Sequence, residues 1–275
     1  TLMNALVGER LSIITSKAQT TRHRIMGIVN GEDFQIVYSD TPGILKPSYK
    51  LQESMMKFVK GAVSDADVIL YVTDTVEQSD RSAEIVERIA ASGIPTIVVV
   101  NKIDLTTPDK LEALVEKWHA ILPNAEIAPA SAKEGFNIGG IFDSILRLLP
   151  EGEPFYPKDT LTDKTLRFFA SEIIREKILL NYDKEIPYCC EIAIDSYKEE
   201  PTIDRIAATI YVTRDSQKGI IIGHRGEMLK KVGTQARIDL EKFLGKKVFL
   251  ELFVKVGGDW RNDERQLRRF GYEQD

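Results

Sequence analysis

Sulfur and long apolar runs are scarce in this chain of 275 residues. It has two cysteines, Cys189 and Cys190, adjacent in an apparent strand. Neighbouring side chains of a strand point to opposite faces, so the pair is poorly placed to share a metal. They read instead as small core-filling residues of a reducing compartment. No apolar stretch reaches the roughly 18 residues that a membrane-spanning helix needs, and no signal-peptide pattern is visible. The most telling absence is a phosphate-binding loop, since nothing matches Gly-x-x-x-x-Gly-Lys-[Ser/Thr]. That gap matters because of what is present.

Thr96-Ile97-Val98-Val99-Val100 is an unbroken apolar run that suits a strand buried on both faces of a parallel sheet. It leads into Asn101-Lys102-Ile103-Asp104, at the strand end where open α/β sheets bind ligands. Guanine presents its N1–H and 2-amino donors on one edge, and a single carboxylate, Asp104, accepts both. Adenine offers no such pair, so a site of this kind rejects it. By itself the tetrapeptide also reads as ordinary turn chemistry. A second motif, Asp40-Thr41-Pro42-Gly43-Ile44, ends an alternating segment, Phe34 to Tyr38. An acid at a strand end followed by a glycine suits Mg²⁺ held through water and an amide brought close to a γ-phosphate. The alternative is a Pro-Gly turn. Ala130-Ser131-Ala132-Lys133 offers backbone amides to the guanine O6. Gln19-Thr20-Thr21-Arg22 offers a hydroxyl, Thr21, to complete Mg²⁺ coordination. Order and spacing of the four make coincidence a poor explanation.

Residues 1–149 alternate helix and strand signals: helices near 1–8, 51–63, 79–92, 108–122 and 137–149, strands near 25–30, 34–39, 68–73, 95–100 and 126–130. This predicts a mostly parallel sheet flanked by helices. Pro150 to Pro154 marks a boundary, and 150–163 reads as a linker. Residues 164–275 read as helix 164–182, strands 187–197 and 205–213, helix 227–244, strand 247–256 and a last helix near 262–270. Between helices lies Gly223-His224-Arg225-Gly226. A Gly-X-X-Gly loop lets a nucleic-acid backbone approach, and the helix ends favour phosphate. The alternative is a helix-linking turn with glycine caps. His224 and Arg225 are candidates to touch phosphate or sugar, with Lys218, Lys230 and Lys231 adding positive charge. Charge is distributed accordingly: residues 1–201 hold 22 Lys and Arg against 31 Asp and Glu, and residues 202–275 hold 15 against 11. An acidic first part with a basic tail points to a polyanionic partner for the tail.

On Gln19 to Arg24, Asp40 to Ile44, Asn101 to Asp104 and the Gly-X-X-Gly segment, nearly the whole chain resembles the Era family of translation-factor-related GTPases. The resemblance implies a P-loop GTPase α/β fold, a three-layer arrangement with helices on both faces of the sheet, followed by an α+β KH domain of type II. It implies GTP/GDP and Mg²⁺ as ligands. Asp40 to Ile44, Asn101 to Asp104 and Ser131 to Lys133 would contact the nucleotide, Thr21 and Asp40 the metal. Lys218, Gly223, His224, Arg225, Gly226 and Lys230 would contact RNA. It further implies the 3′ end of 16S rRNA and the small ribosomal subunit as partners, a role in 30S assembly, a cytoplasmic location with a peripheral inner-membrane fraction, and no DNA. Against that pattern, Thr1 to Leu6 looks like the helix that follows the missing phosphate loop. The expectation is a truncated form that binds GTP poorly. Ile44 stands where many GTPases carry a water-orienting glutamine. His23 reads as an exposed residue of a switch segment spanning 17–24, paired with a second at 44–57. An RNA-binding scaffold without turnover, and a GTPase whose second module meets protein or membrane, remain the competing readings.

Overall fold

The computed structural model describes residues 1–76 and 83–272, which divide into two compact units. The first comprises residues 1–12, 24–46 and 56–163. It contains α1 (Leu2–Val7), β1 (Ile25–Asn30), β2 (Gln35–Asp40), α2 (Lys50–Ser64, shared with the second unit), β3 (Ile69–Asp74), α3 (Ala83–Ser92), β4 (Thr96–Asn101), α4 (Pro108–Ile121), β5 (Glu126–Pro129) and α5 (Ile138–Leu148). The strands form two ladders, where the spacing predicts one mostly parallel sheet. β1 and β2 pair antiparallel, and β3-β4-β5 pair parallel in that order. The central strand β4 has the expected two-sided burial, with Ile97, Val98, Val99 and Val100 fully inaccessible. Its β-branched side chains pack with Leu6, Ile36, Ile141 and Ile145, which places the end of β4 on a rigid base. The part of the expected helix at 79–82 lies outside the described residues.

Residues 150–163, expected as a linker, belong to this first unit. The Ile28 amide donates to the Leu161 carbonyl at 2.8 Å, and Gln35 bonds the Tyr156 backbone in both directions. These backbone pairings tie the segment along β1 and β2.

The second unit comprises residues 13–23, 47–55 and 164–275, described to Tyr272. Its elements are α6 (Leu166–Asn181), the short α7 (Ile186–Cys189), β6 (Glu191–Glu199), β7 (Ile203–Val212), α8 (Asp215–Ile222), α9 (Glu227–Leu244), β8 (Lys247–Val256) and α10 (Glu264–Arg269). β6 pairs antiparallel with β7, and β7 parallel with β8. Helices α6, α8 and α9 pack on one face of this sheet around Ile174, Ile178, Ile210, Ile221, Val232 and Ala236. The strand expected from residue 187 begins instead as a helical turn, because Pro187 sits where a first helical turn tolerates it. Cys189 therefore closes a helix rather than occupying a strand. Both cysteines are free and buried, and burial raises the Cys189 thiol to about 11 and the Cys190 thiol to about 12.

Candidate functional sites

In the first unit, the chain leaves β4 through Lys102, a non-glycine residue with left-handed backbone (φ 61°, ψ 35°). That conformation is uncommon and needs local support. Thr75 Oγ1 donates to the Lys102 carbonyl at 3.0 Å, and Lys102 Nζ pairs with Asp74 at 2.5 Å. The Ile103 amide donates to the Ala130 carbonyl at 3.2 Å, joining this loop to the one after β5. Two side-chain bonds finish the join. The Ala132 amide donates to Asn101 Oδ1 at 3.0 Å, and Ser131 Oγ donates to Asp104 Oδ1 at 2.6 Å. Asp104 is otherwise exposed and Ser131 is buried. The result is an accessible carboxylate held in one orientation, which is what two neighbouring donors on a planar ligand edge require.

The backbone amides of Ser131 and Ala132, expected to face guanine O6, have partners within the protein. The Ser131 amide donates to the Phe136 carbonyl at 3.2 Å, and the Ala132 amide is taken by Asn101. Ser131 and Ala132 build the site by fixing Asp104 and Asn101. The Lys133 ammonium is exposed and pairs with Glu134 at 2.9 Å.

At the end of β2, Ser12 Oγ donates to Asp40 Oδ2 at 2.5 Å. Ser12 is itself fixed, because Asn4 Oδ1 accepts from the amides of Leu11 and Ser12 at 3.1 and 2.9 Å. Burial pushes the Asp40 carboxyl above the usual carboxylate range, and the Ser12 bond pulls it back. Ser12 and Asn4 carry no motif, so sequence reasoning missed them. Beyond Asp40, Pro42 is buried and Gly43 exposed. A Cβ added at Gly43 would meet nothing within 4 Å, so packing does not explain this glycine. Among the described residues no cluster of three or more His, Cys, Asp or Glu forms a metal cage. One carboxylate plus hydroxyl and phosphate oxygens suits Mg²⁺, which rarely uses an all-protein cage. The residues present thus fit a guanine nucleotide and its Mg²⁺.

Thr21, the other expected metal ligand, lies in the segment 13–23, which belongs to the second unit. Arg22 is fully buried there. It donates to the carbonyls of Cys190 (2.8 Å) and Pro187 (3.0 Å) and to Glu191 (3.1 Å). Glu191 also accepts from the Tyr272 hydroxyl at 2.5 Å. The Arg175 guanidinium binds the Thr20 carbonyl and the Glu172 carboxylate. His23, expected to be exposed, stacks on Tyr272 at 4.2 Å and meets Phe168 edge-on. Burial lowers the basicity of its imidazole. Residues 47–55 behave alike: Arg261 lies 4.8 Å from the Tyr49 ring centroid, and Lys50 pairs with Glu264 at 2.7 Å. Nothing in the sequence pattern signals these pairings, in which residues 20, 22, 23, 49 and 50 meet partners more than 100 residues further along the chain.

The Gly-X-X-Gly loop spans α8 and α9. Gly223 has φ 72°, and an added Cβ would lie 2.7 Å from Met228 Cβ, so only glycine fits. Arg225 (φ 51°) and Gly226 (φ 81°) continue the left-handed turn. His224 and Arg225 are thereby thrown outward and are exposed. Helix α9, with 18 residues, starts directly behind them, and its first amide, that of Glu227, donates to the His224 carbonyl. Lys218 on α8 is half-buried, and Lys230 and Lys231 on α9 are exposed. Ile221 fills the core, while Ile220 is 48% exposed.

A nucleotide-type α/β unit with the oriented Asp104 carboxylate at the end of its central strand, joined to a Gly-X-X-Gly module, is the arrangement of a GTPase with an RNA-binding domain. Comparison with known proteins agrees. Residues 1–102 match the family model "50S ribosome-binding GTPase", and residues 185–261 match the "KH domain" model. A GTPase Era from Syntrophus aciditrophicus (strain SB) is 44% identical over 277 aligned residues, covering 100% of this chain and 90% of that protein. A crystal structure of Era in complex with MgGDPNP and nucleotides 1506-1542 of 16S ribosomal RNA superposes with a TM-score of 0.95 at 41% identity, covering 99% of this chain and 94% of the other. A point variant of Aquifex aeolicus Era bound to GDP.AlF4- gives the same score, identity and coverage. The chain belongs to the Era family of GTPases. Among the described residues, no helix is long and apolar enough to cross a membrane.

Proposed function

We propose that the protein is a GTP-dependent switch that binds the 3′ end of small-subunit ribosomal RNA and assists 30S assembly in the cytoplasm, with a peripheral fraction at the inner membrane. The observation that carries this reading is one chain holding both a Ser131-oriented Asp104 and an outward-facing His224-Arg225 pair. Support comes from the related Era whose structure contains MgGDPNP and 16S rRNA nucleotides.

In this reading Asp104 accepts the two donors of guanine, and Asn101, Lys102 and Ile103 shape the loop that carries it. Ser131 and Ala132 hold that loop, and Lys133 borders the base. Asp40 would hold Mg²⁺. Thr41, Pro42 and Ile44 frame Gly43, whose amide meets the γ-phosphate. Bound Mg²⁺ would neutralise charge developing on the phosphates. Ile44 cannot orient water, so the chain's intrinsic turnover is slow. Lys218, His224, Arg225 and Lys230 contact the RNA backbone, and Gly223 and Gly226 let it approach. Of the two switch segments, 17–24 and 44–57, residues 17–23 and 47–55 belong to the RNA-binding unit, so their nucleotide-driven ordering acts on the unit that carries the RNA loop.

The double substitution His224→Asp with Arg225→Asp tests the reading. Affinity for the 16S rRNA 3′ fragment should collapse while guanine-nucleotide binding survives. Retained RNA affinity would move the second unit to a protein- or membrane-contacting role.

A further inference from the structure

We propose that the outer face of β8 is a second single-stranded RNA platform, which takes bases that leave the Gly-X-X-Gly groove. The inference rests on the RNA-binding reading above and extends it to a surface that reading does not use.

Strand β8 pairs only with β7 among the described residues and so forms a sheet edge. Its even-numbered side chains Leu250, Leu252 and Val254 pack inward against the core under the helices. The odd-numbered ones point the other way: Lys247, Phe249, Glu251, Phe253 and Lys255 are all exposed. Phe249 is 44% and Phe253 51% exposed. Packing does not account for either ring, because both face solvent. The C-terminal helix meets this face at Tyr211, where Phe270 packs at 5.4 Å. Among the described residues, the β8 half stays exposed at Phe249 and Phe253.

The arrangement fits stacked bases better than a protein partner. The two rings are isolated by Glu251 rather than fused into one apolar patch, which is what protein interfaces favour. Cations border each of them. The Arg205 guanidinium, which also pairs with Glu200 at 3.0 Å, lies 5.3 Å from the Phe249 ring centroid. Lys255 follows Phe253 on the same face and lies opposite Tyr211 in register. Aromatic rings on a strand, flanked by cations that follow the backbone, are the general solution for binding single strands. Four residues of strand separate the rings by about 13 Å. That spacing suits bases about two or three nucleotides apart in a strand more extended than the ~3.4 Å duplex step. Leu252 lies beneath Gly233 of α9 on the inner face, and the next residue, Phe253, is on the outer face.

The test is fluorescence anisotropy on the full chain with two single-stranded fragments of the 16S rRNA 3′ end, about 6 and about 16 nucleotides long. Both rings are exposed, so Phe249→Ala with Phe253→Ala leaves the fold intact, which thermal melting verifies. The double variant should lose at least tenfold in affinity for the longer fragment and keep its affinity for the shorter one. Glu251→Gln should tighten the longer fragment by removing a charge that faces the phosphates. A longer fragment bound equally well by the wild type and the double variant overturns the proposal, and is the outcome a protein-docking face gives. The His224→Asp, Arg225→Asp variant separates the two readings. If it binds both fragments normally, the groove reading fails, whereas the platform is judged by the phenylalanine variant alone. A wild type that binds neither fragment overturns both.

Discussion

Ser131 Oγ donates to Asp104 Oδ1 at 2.6 Å across two loops that follow different strands. One hydroxyl therefore fixes the direction of the carboxylate proposed to read the base. A hydrogen bond to a charged group contributes about 1.5–3 kcal/mol, less where water competes. Ser131→Ala should weaken guanine-nucleotide binding about tenfold with the fold preserved. Titration with a fluorescent GDP analogue checks this, and equal affinity would remove Ser131 from the site.

Arg22 makes a second kind of contribution, to stability. Its guanidinium is fully buried against Glu191, which is itself only 5% exposed. Removing one partner of such a pair strands the other and costs about 3–5 kcal/mol. Arg22→Ala should lower the melting transition of the second unit by roughly 10 °C. Calorimetry that shows no shift would mean the segment 13–23 is not anchored there.

Acid sensitivity follows from Glu172. Burial acts to raise its carboxyl, but the Arg175 guanidinium outweighs this, and the net effect lies below the ordinary value of 4.5. A lowered folded-state value means stability that is complete above the unfolded value and lost as pH falls through the folded one. The second unit should weaken below about pH 4.5, and Glu172→Gln should flatten that part of the profile. Denaturant midpoints measured from about pH 7 to about pH 3 decide the matter: an unchanged slope in the variant contradicts the assignment.

Much of the fold was legible because local pattern and burial coincide. Thr96 to Val100 is apolar at nearly every position and is buried at every position. Gly223 and Gly226 marked a turn whose left-handed backbone demands glycine. What escaped reading was non-local. Arg22 looks like any polar loop residue, and its burial is set by carbonyls of Pro187 and Cys190 far along the chain. Asn4 and Ser12 have no signature, yet they hold Asp40. Residues 187–189 misled because a short apolar stretch suits strand or helix equally, and Pro187 decided for the helix.

The most direct test of the account is the affinity of the intact protein for the 16S rRNA 3′ fragment, measured with GDP and with a non-hydrolysable GTP analogue. Coupling between such sites is typically about 1–3 kcal/mol, or roughly 5–150-fold. The account predicts a difference of at least about fivefold between the two nucleotides. Equal affinities would contradict it, leaving a nucleotide site and an RNA site that share a chain without forming a switch.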